Sequence, residues 1–126
     1  MKSKLLIVED DRNDIKLLTQ KLKNEPYELF IAETGENVLN MLEDHDIDLV
    51  ILDILLPEID GFEICRRIRK HEKYAQVPVL FYTTICTTDE KIIGLKMGVS
   101  DFLSKSADER ELLLRIQNLL QAKKNN

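Results

Sequence analysis

Histidine, cysteine and long apolar runs are all scarce in this chain, and each shortage closes off a class of function. The 126 residues include two cysteines, Cys65 and Cys86, and two histidines, His45 and His71. The cysteines share neither metal-type nor redox-type spacing, which points to two reduced, partly buried thiols in a cytosolic protein. The histidines fall in polar helix ends, away from the polar cluster described below, so catalytic histidine chemistry is not expected. No stretch nears the ~20 apolar residues that span a membrane. The start, MKSKLLIVEDD, has too short an apolar run for a signal peptide. A cytoplasmic location without a membrane partner follows. Basic residues are also in deficit, 18 against 23 acidic ones, for a formal charge of -5. Nucleic-acid-binding domains usually carry a basic face, so direct nucleic-acid contact is not expected. There is no internal repeat, low-complexity tract or linker. What is present suits one globular domain over residues 1–126: 44% apolar and 33% charged residues, in a chain long enough to bury a core without staples.

Strand and helix patterns alternate along the chain. Lys4 to Val8 predicts a first strand, followed at once by Glu9, Asp10 and Asp11. A helix is predicted from about Arg12 to Asn24, with Ile15, Leu18 and Leu22 facing inward. Pro26 stops it. Tyr27 to Ala32 is a second strand, at a sheet edge. Thr34 or Gly35 starts a second helix that turns Val38, Leu39 and Leu42 inward. The apolar run Leu49 to Leu52 reads as a third strand buried on both faces. It ends on Asp53, after which Pro57 and Asp60-Gly61 mark a loop and turn. A third helix from about Phe62 to His71 carries Phe62, Cys65 and Ile68 on one stripe. Val79 to Tyr82 is a fourth strand ending at Thr83 and Thr84. Thr88 to Met97 is a fourth helix, stopped by Gly98. Asp101 to Ser104 is a fifth strand ending at Lys105, and a last helix runs from about Glu109 to Ala122. Asp108 with Glu111, or Ser106 with Glu109, has capping-box spacing. The polar tail QAKKNN is expected to fray. This alternation calls for an α/β fold: a parallel sheet with helices on both faces.

In such a sheet the carboxyl ends of the strands share one edge, where ligands bind. That edge gathers Glu9, Asp10 and Asp11, then Asp53, then Thr83 and Thr84, then Lys105. Two carboxylates about 5 Å apart at an effective dielectric of 20 repel by roughly 3 kcal/mol. The cluster therefore calls for a compensating cation or a raised pKa. A hard divalent ion such as Mg²⁺ suits oxygen ligands. Lys105 adds a fixed positive charge. An ionised aspartate can act as nucleophile toward a phosphoryl group, giving an acyl phosphate. The lysine and metal would neutralise phosphoryl oxygens, and the Thr83 hydroxyl would donate to one of them. Asp11 is accounted for as a helix-start acid.

The set V-E-D-D near the start, D-I-L-L-P-E-I-D-G, Y-T-T and K-S resembles the receiver domain of two-component response regulators, over essentially the whole chain. The resemblance implies a flavodoxin-like, doubly wound five-stranded parallel sheet of order 2-1-3-4-5 with five helices. It implies that Asp53 accepts a phosphoryl group from a histidine kinase or a phosphotransfer protein. Asp10, Asp53 and the backbone carbonyl of Leu55 would bind Mg²⁺ directly, and Glu9 through water. Thr83 and Lys105 match the family's hydroxyl and lysine. Phe102 stands where the family has a switch aromatic that turns inward on phosphorylation. The face made by the fourth helix, fifth strand and last helix would then meet an output domain, a downstream protein or a second copy of the chain. Such a domain is a phosphoacceptor rather than an enzyme, losing its phosphate slowly.

One position departs from the family pattern. Receivers usually have a proline in a cis peptide bond after the lysine, and this chain has Ser106. A cis bond before a non-proline residue costs about 2.5–4 kcal/mol, so a trans, rearranged or strained link is expected, one able to shift the Lys105 ammonium and weaken phosphate contact or switching. That departure motivates an alternative, a phosphorylation-independent interaction module with the receiver fold. A third reading, a phosphohydrolase of the haloacid dehalogenase kind, needs a second aspartate two residues beyond the nucleophile. Leu55 stands there.

Overall fold

The computed structural model of the chain describes residues 2–84 and 86–124, the last two by backbone alone. Five strands form one sheet: β1 Ser3–Val8, β2 Tyr27–Ala32, β3 Leu49–Leu52, β4 Val79–Thr83 and β5 Asp101–Ser104. All pairings are parallel, in the order β2-β1-β3-β4-β5. The helices are α1 Arg12–Leu22, α2 Val38–Asp44, α3 Gly61–Lys70, α4 Thr88–Lys96 and α5 Glu109–Lys124. A 3-10 turn, Gly35–Asn37, leads into α2.

The period of two in a strand divides the core between the two sheet faces. Leu6, Val8, Val50, Leu52, Val79 and Phe81 lie on one face, against Val38 and Leu42 of α2 and Ile64, Cys65 and Ile68 of α3. Leu5, Ile7, Leu49, Ile51, Leu80 and Tyr82 lie on the other, against Leu18 and Leu22 of α1 and Leu112, Ile116 and Leu120 of α5. Both faces of the central strands are thus dry, which explains their uninterrupted apolar runs. Each fully buried leucine or isoleucine contributes about 1.5–3 kcal/mol relative to exposure.

Local differences from the sequence pattern have physical causes. Helix α1 ends at Leu22, two residues before Asn24, and its inward stripe holds Leu18 and Leu22 while Ile15 is only half-buried. Helix α3 begins at Gly61, because Asp60 caps it by accepting from Glu63 N at 2.9 Å. Its buried stripe is wider than expected and includes Ile64, with Phe62 only half-buried. Helix α4 begins with a full capping box between Thr87 and Glu90, and Gly98 beyond its end has φ +91°. The boxes expected at α5 do not form. Asp108 accepts instead from Arg110 N at 2.8 Å, Glu111 is drawn to Arg115, and the Ser106 hydroxyl pairs with Ser104. Helix α5 continues to Lys124, past Ala122. Of the tail expected to fray, Asn125 and Asn126 lie outside the described residues.

Candidate functional site

Ladder hydrogen bonding carries past the strand ends and fixes the backbone of the polar residues there. Glu9 N donates to Ala32 O at 3.2 Å, Asp53 N to Val8 O at 3.2 Å and Lys105 N to Thr83 O at 2.8 Å. Glu9, Asp53 and Lys105 are therefore held at one sheet edge by backbone alone.

Their side chains meet. The Lys105 ammonium donates to Asp53 Oδ2 at 2.7 Å, to Glu9 Oε1 at 2.5 Å and to Asp14 Oδ2 at 2.7 Å. Asp53 Oδ1 accepts from Leu55 N at 3.3 Å. Glu9 Oε2 accepts from the N–H groups of Asp10 and Asp11 at 3.1 and 3.2 Å. Burial pushes the Glu9 carboxyl from 4.5 up to about 7. Hydrogen bonds from Lys105 and the Asp11 N–H oppose that rise, and the charge of Asp53 adds to it. Burial works to lower the Lys105 pKa, but its three carboxylate partners outweigh burial and carry it above the ordinary lysine range.

Asp14 is the member that sequence reasoning missed. It sits in the first turn of α1, placed by the Asp11 side chain, which accepts from Asp14 N at 3.0 Å. Asp11 is thus a helix cap, as its position suggested. The missed signal was spacing. Asp14, Leu18 and Leu22 recur every four residues, so an acid heads the inward stripe of α1.

Thr83 ends β4 beside this group. It is 2% exposed, and its Oγ1 has no hydrogen-bond partner among the described residues. It lines a cavity of about 110 Å³ with Cys86, Lys91, Phe102, Leu103 and Ser104. The Phe102 ring already packs inward. It meets Phe81 edge-on at 5.3 Å and 77°, and it presses so closely on α4 that a Cβ at Gly94 would lie 2.4 Å from Phe102 Cζ.

Asp10 is exposed. Among the described residues, no three acidic, histidine or cysteine side chains are disposed to hold a metal, so the expected trio of Glu9, Asp10 and Asp53 is not gathered as a ligand set. The Lys105 ammonium lies between Glu9 and Asp53. The donors themselves suit a hard cation, since Glu9, Asp10, Asp53 and the Leu55 carbonyl offer only oxygen.

Ser106 does not displace the lysine. There is no cis peptide bond among the described residues, Ser106 N donates to Ser104 Oγ at 3.1 Å, and the ammonium still reaches Asp53. A cavity of about 680 Å³ lies elsewhere, lined by Asp46, Tyr74, Val77, Leu119 and others at the opposite edge of the sheet. It shares no residue with the acid–lysine group. His71 pairs with Glu43 and His45 stacks on Phe30, both remote from Asp53.

A doubly wound parallel sheet with a buried aspartate, a lysine and a hydroxyl at its carboxyl edge defines a flavodoxin-like signalling domain. The response regulator receiver domain family matches residues 5–117, and the chain belongs to that family. It is 37% identical over 92% of its length to a protein of Cyanidium caldarium named "Probable transcriptional regulator ycf27", covering 45% of that protein. It is 32% identical to the alkaline phosphatase synthesis transcriptional regulatory protein PhoP of Bacillus subtilis, covering 95% of this chain and 49% of PhoP. The chain thus spans about half the length of these curated relatives. Among solved structures it is similar to the signal receiver domain of an HD domain-containing protein from Pseudomonas fluorescens Pf-5. That match has TM-score 0.92 and 26% identity, and it covers 100% of both chains. No helix among the described residues is long and apolar enough to cross a membrane.

Proposed function

We propose that residues 1–126 act as one phosphoacceptor domain in which Asp53 takes a phosphoryl group from a histidine kinase or phosphotransfer protein. The observation that carries this reading is the Lys105 ammonium 2.7 Å from Asp53 Oδ2, with the buried, unpartnered Thr83 hydroxyl on the neighbouring strand end. An Asp53 oxygen attacks phosphorus, the O–P bond forms as the bond from phosphorus to the donor imidazole breaks, and the imidazole leaves with the electron pair. The nucleophile is a carboxylate oxygen of Asp53, so the step draws on no general base. Lys105 and Thr83 then donate to phosphoryl oxygens. Asp10, Asp53, the Leu55 carbonyl and, through water, Glu9 would hold Mg²⁺, which supplies charge neutralisation for the phosphoryl oxygens. The domain turns over no substrate, and slow hydrolysis of the acyl phosphate resets it.

Phe102 links the site to the face made by α4, β5 and α5, where an output domain, a downstream protein or a second copy of the chain would dock, in the cytoplasm. The alternative, a phosphorylation-independent module, is motivated by Ser106; the ammonium's place beside Asp53 favours the phosphoacceptor reading, and partner binding indifferent to Asp53→Asn would favour the other.

The test is addition of beryllofluoride or acetyl phosphate with Mg²⁺. The wild-type chain should show a change in its NMR spectrum with the first and a one-phosphoryl mass gain with the second, and Asp53→Asn should abolish both. A wild-type chain that gains no mass and shows no spectral change would sink the proposal.

A further inference from the structure

An ammonium has three N–H donors, and Lys105 gives one each to Glu9, Asp14 and Asp53. Two of these acceptors are deeply buried at strand ends, with side chains 7% and 8% exposed. The third, Asp14, belongs to α1 and is 35% exposed. Helix α1 also reaches the lysine's backbone. Lys21 Nζ donates to Tyr82 Oη at 3.1 Å, and the Tyr82 hydroxyl donates to the Lys105 carbonyl at 3.4 Å. The residue after Lys105 is a serine with no ring to stiffen the chain.

We propose that α1 positions Lys105 for the phosphoryl group, with Asp14 as the anchor of its ammonium. The inference rests on Asp53 being the phosphoacceptor. Once Asp53 becomes an acyl phosphate, its carboxyl loses its full negative charge and becomes a weaker acceptor, while the new phosphoryl oxygens carry charge. One N–H passes from Asp53 to a phosphoryl oxygen. Asp14 and Glu9 keep the other two, so the ammonium stays in place while its third partner changes. Without Asp14 a single side-chain partner remains on a flexible four-carbon stem. Asp14 is thus a positioning residue that acts only through Lys105.

The experiment compares beryllofluoride affinity, with Mg²⁺, in the full chain and its variants. Asp14→Ala should weaken binding about tenfold, and Asp14→Asn, which keeps an acceptor oxygen, should recover part of the loss. In a Lys105→Ala background Asp14→Ala should cost nothing more. The ¹⁵N resonance of the Lys105 ammonium supplies a readout independent of that background, and Asp14→Ala should move it. A wild-type chain that ignores beryllofluoride would overturn the phosphoacceptor reading and this inference together. A responsive wild type with unchanged or tighter binding in Asp14→Ala would overturn only the role of Asp14. So would an equal loss in both backgrounds, or an unmoved ammonium resonance.

Discussion

Thr83 keeps a hydroxyl out of water without a partner. A buried polar group left unsatisfied costs about 1–3 kcal/mol, so the unphosphorylated fold tolerates Thr83 rather than benefiting from it. Thr83→Val keeps the shape and removes the orphan. It should raise the unfolding free energy by up to about 1 kcal/mol in urea titrations and weaken beryllofluoride binding. Lower stability together with unchanged beryllofluoride affinity would contradict this account. At this scale most of the cluster was legible, because Glu9, Asp53, Thr83 and Lys105 each end a strand and parallel strand ends share an edge. Asp14 was not, because an acid in a first helical turn has an ordinary explanation in the helix dipole. The exposed placing of Asp10 was not legible either. A position beyond a strand end does not by itself specify how deeply a side chain is buried.

Among the elements, α3 starts hard against the backbone that follows β3. A Cβ at Gly61 would lie 2.4 Å from Asp53 O and 2.8 Å from Ile54 Cα, and Gly61 N donates to Ile54 O at 2.8 Å. The close atoms are backbone and cannot swing aside. Gly61→Ala should therefore destabilise the fold by about 2–3 kcal/mol, despite alanine's better helix propensity. Thermal melts would show it as a large fall in Tm, and a melt matching wild type would refute the close approach. The bounds of β2, β3 and β5 were readable to the residue, since turn signals flank short apolar runs. Helix ends were less so. The cap at Asp60 pulled α3 one residue earlier, and Asp108 capped α5 through Arg110 rather than Glu111. Thr87 and Glu90 had the capping-box spacing in plain view.

For the whole molecule, the buried acids make stability depend on pH. The folded-state pKa of Glu9 is raised from 4.5 to about 7. The folded chain therefore binds more protons than the unfolded chain between those values, and stability falls as pH rises through that window. The effect has a ceiling of roughly 3 kcal/mol. Denaturation midpoints of the metal-free wild type should decline from pH 5 to pH 7.5 more steeply than those of Glu9→Gln. Mg²⁺, which favours the ionised carboxylate, should flatten the difference. Parallel slopes in the two chains would remove Glu9 as the cause. The parallel sheet and its two-sided core follow from alternation and apolar runs, and the strand order from the family resemblance, whereas this linkage required the depth at which Glu9 is buried.

Helix α4 is rooted differently from its neighbours. Gly94 is its one buried residue, while Ile92, Ile93 and Leu95 are 46%, 43% and 60% exposed. An element so lightly attached opens at a small fraction of the global unfolding free energy. In heavy water its amides should exchange well before those of α1 and α3, so this helix can detach and re-dock while the sheet beneath it stays folded.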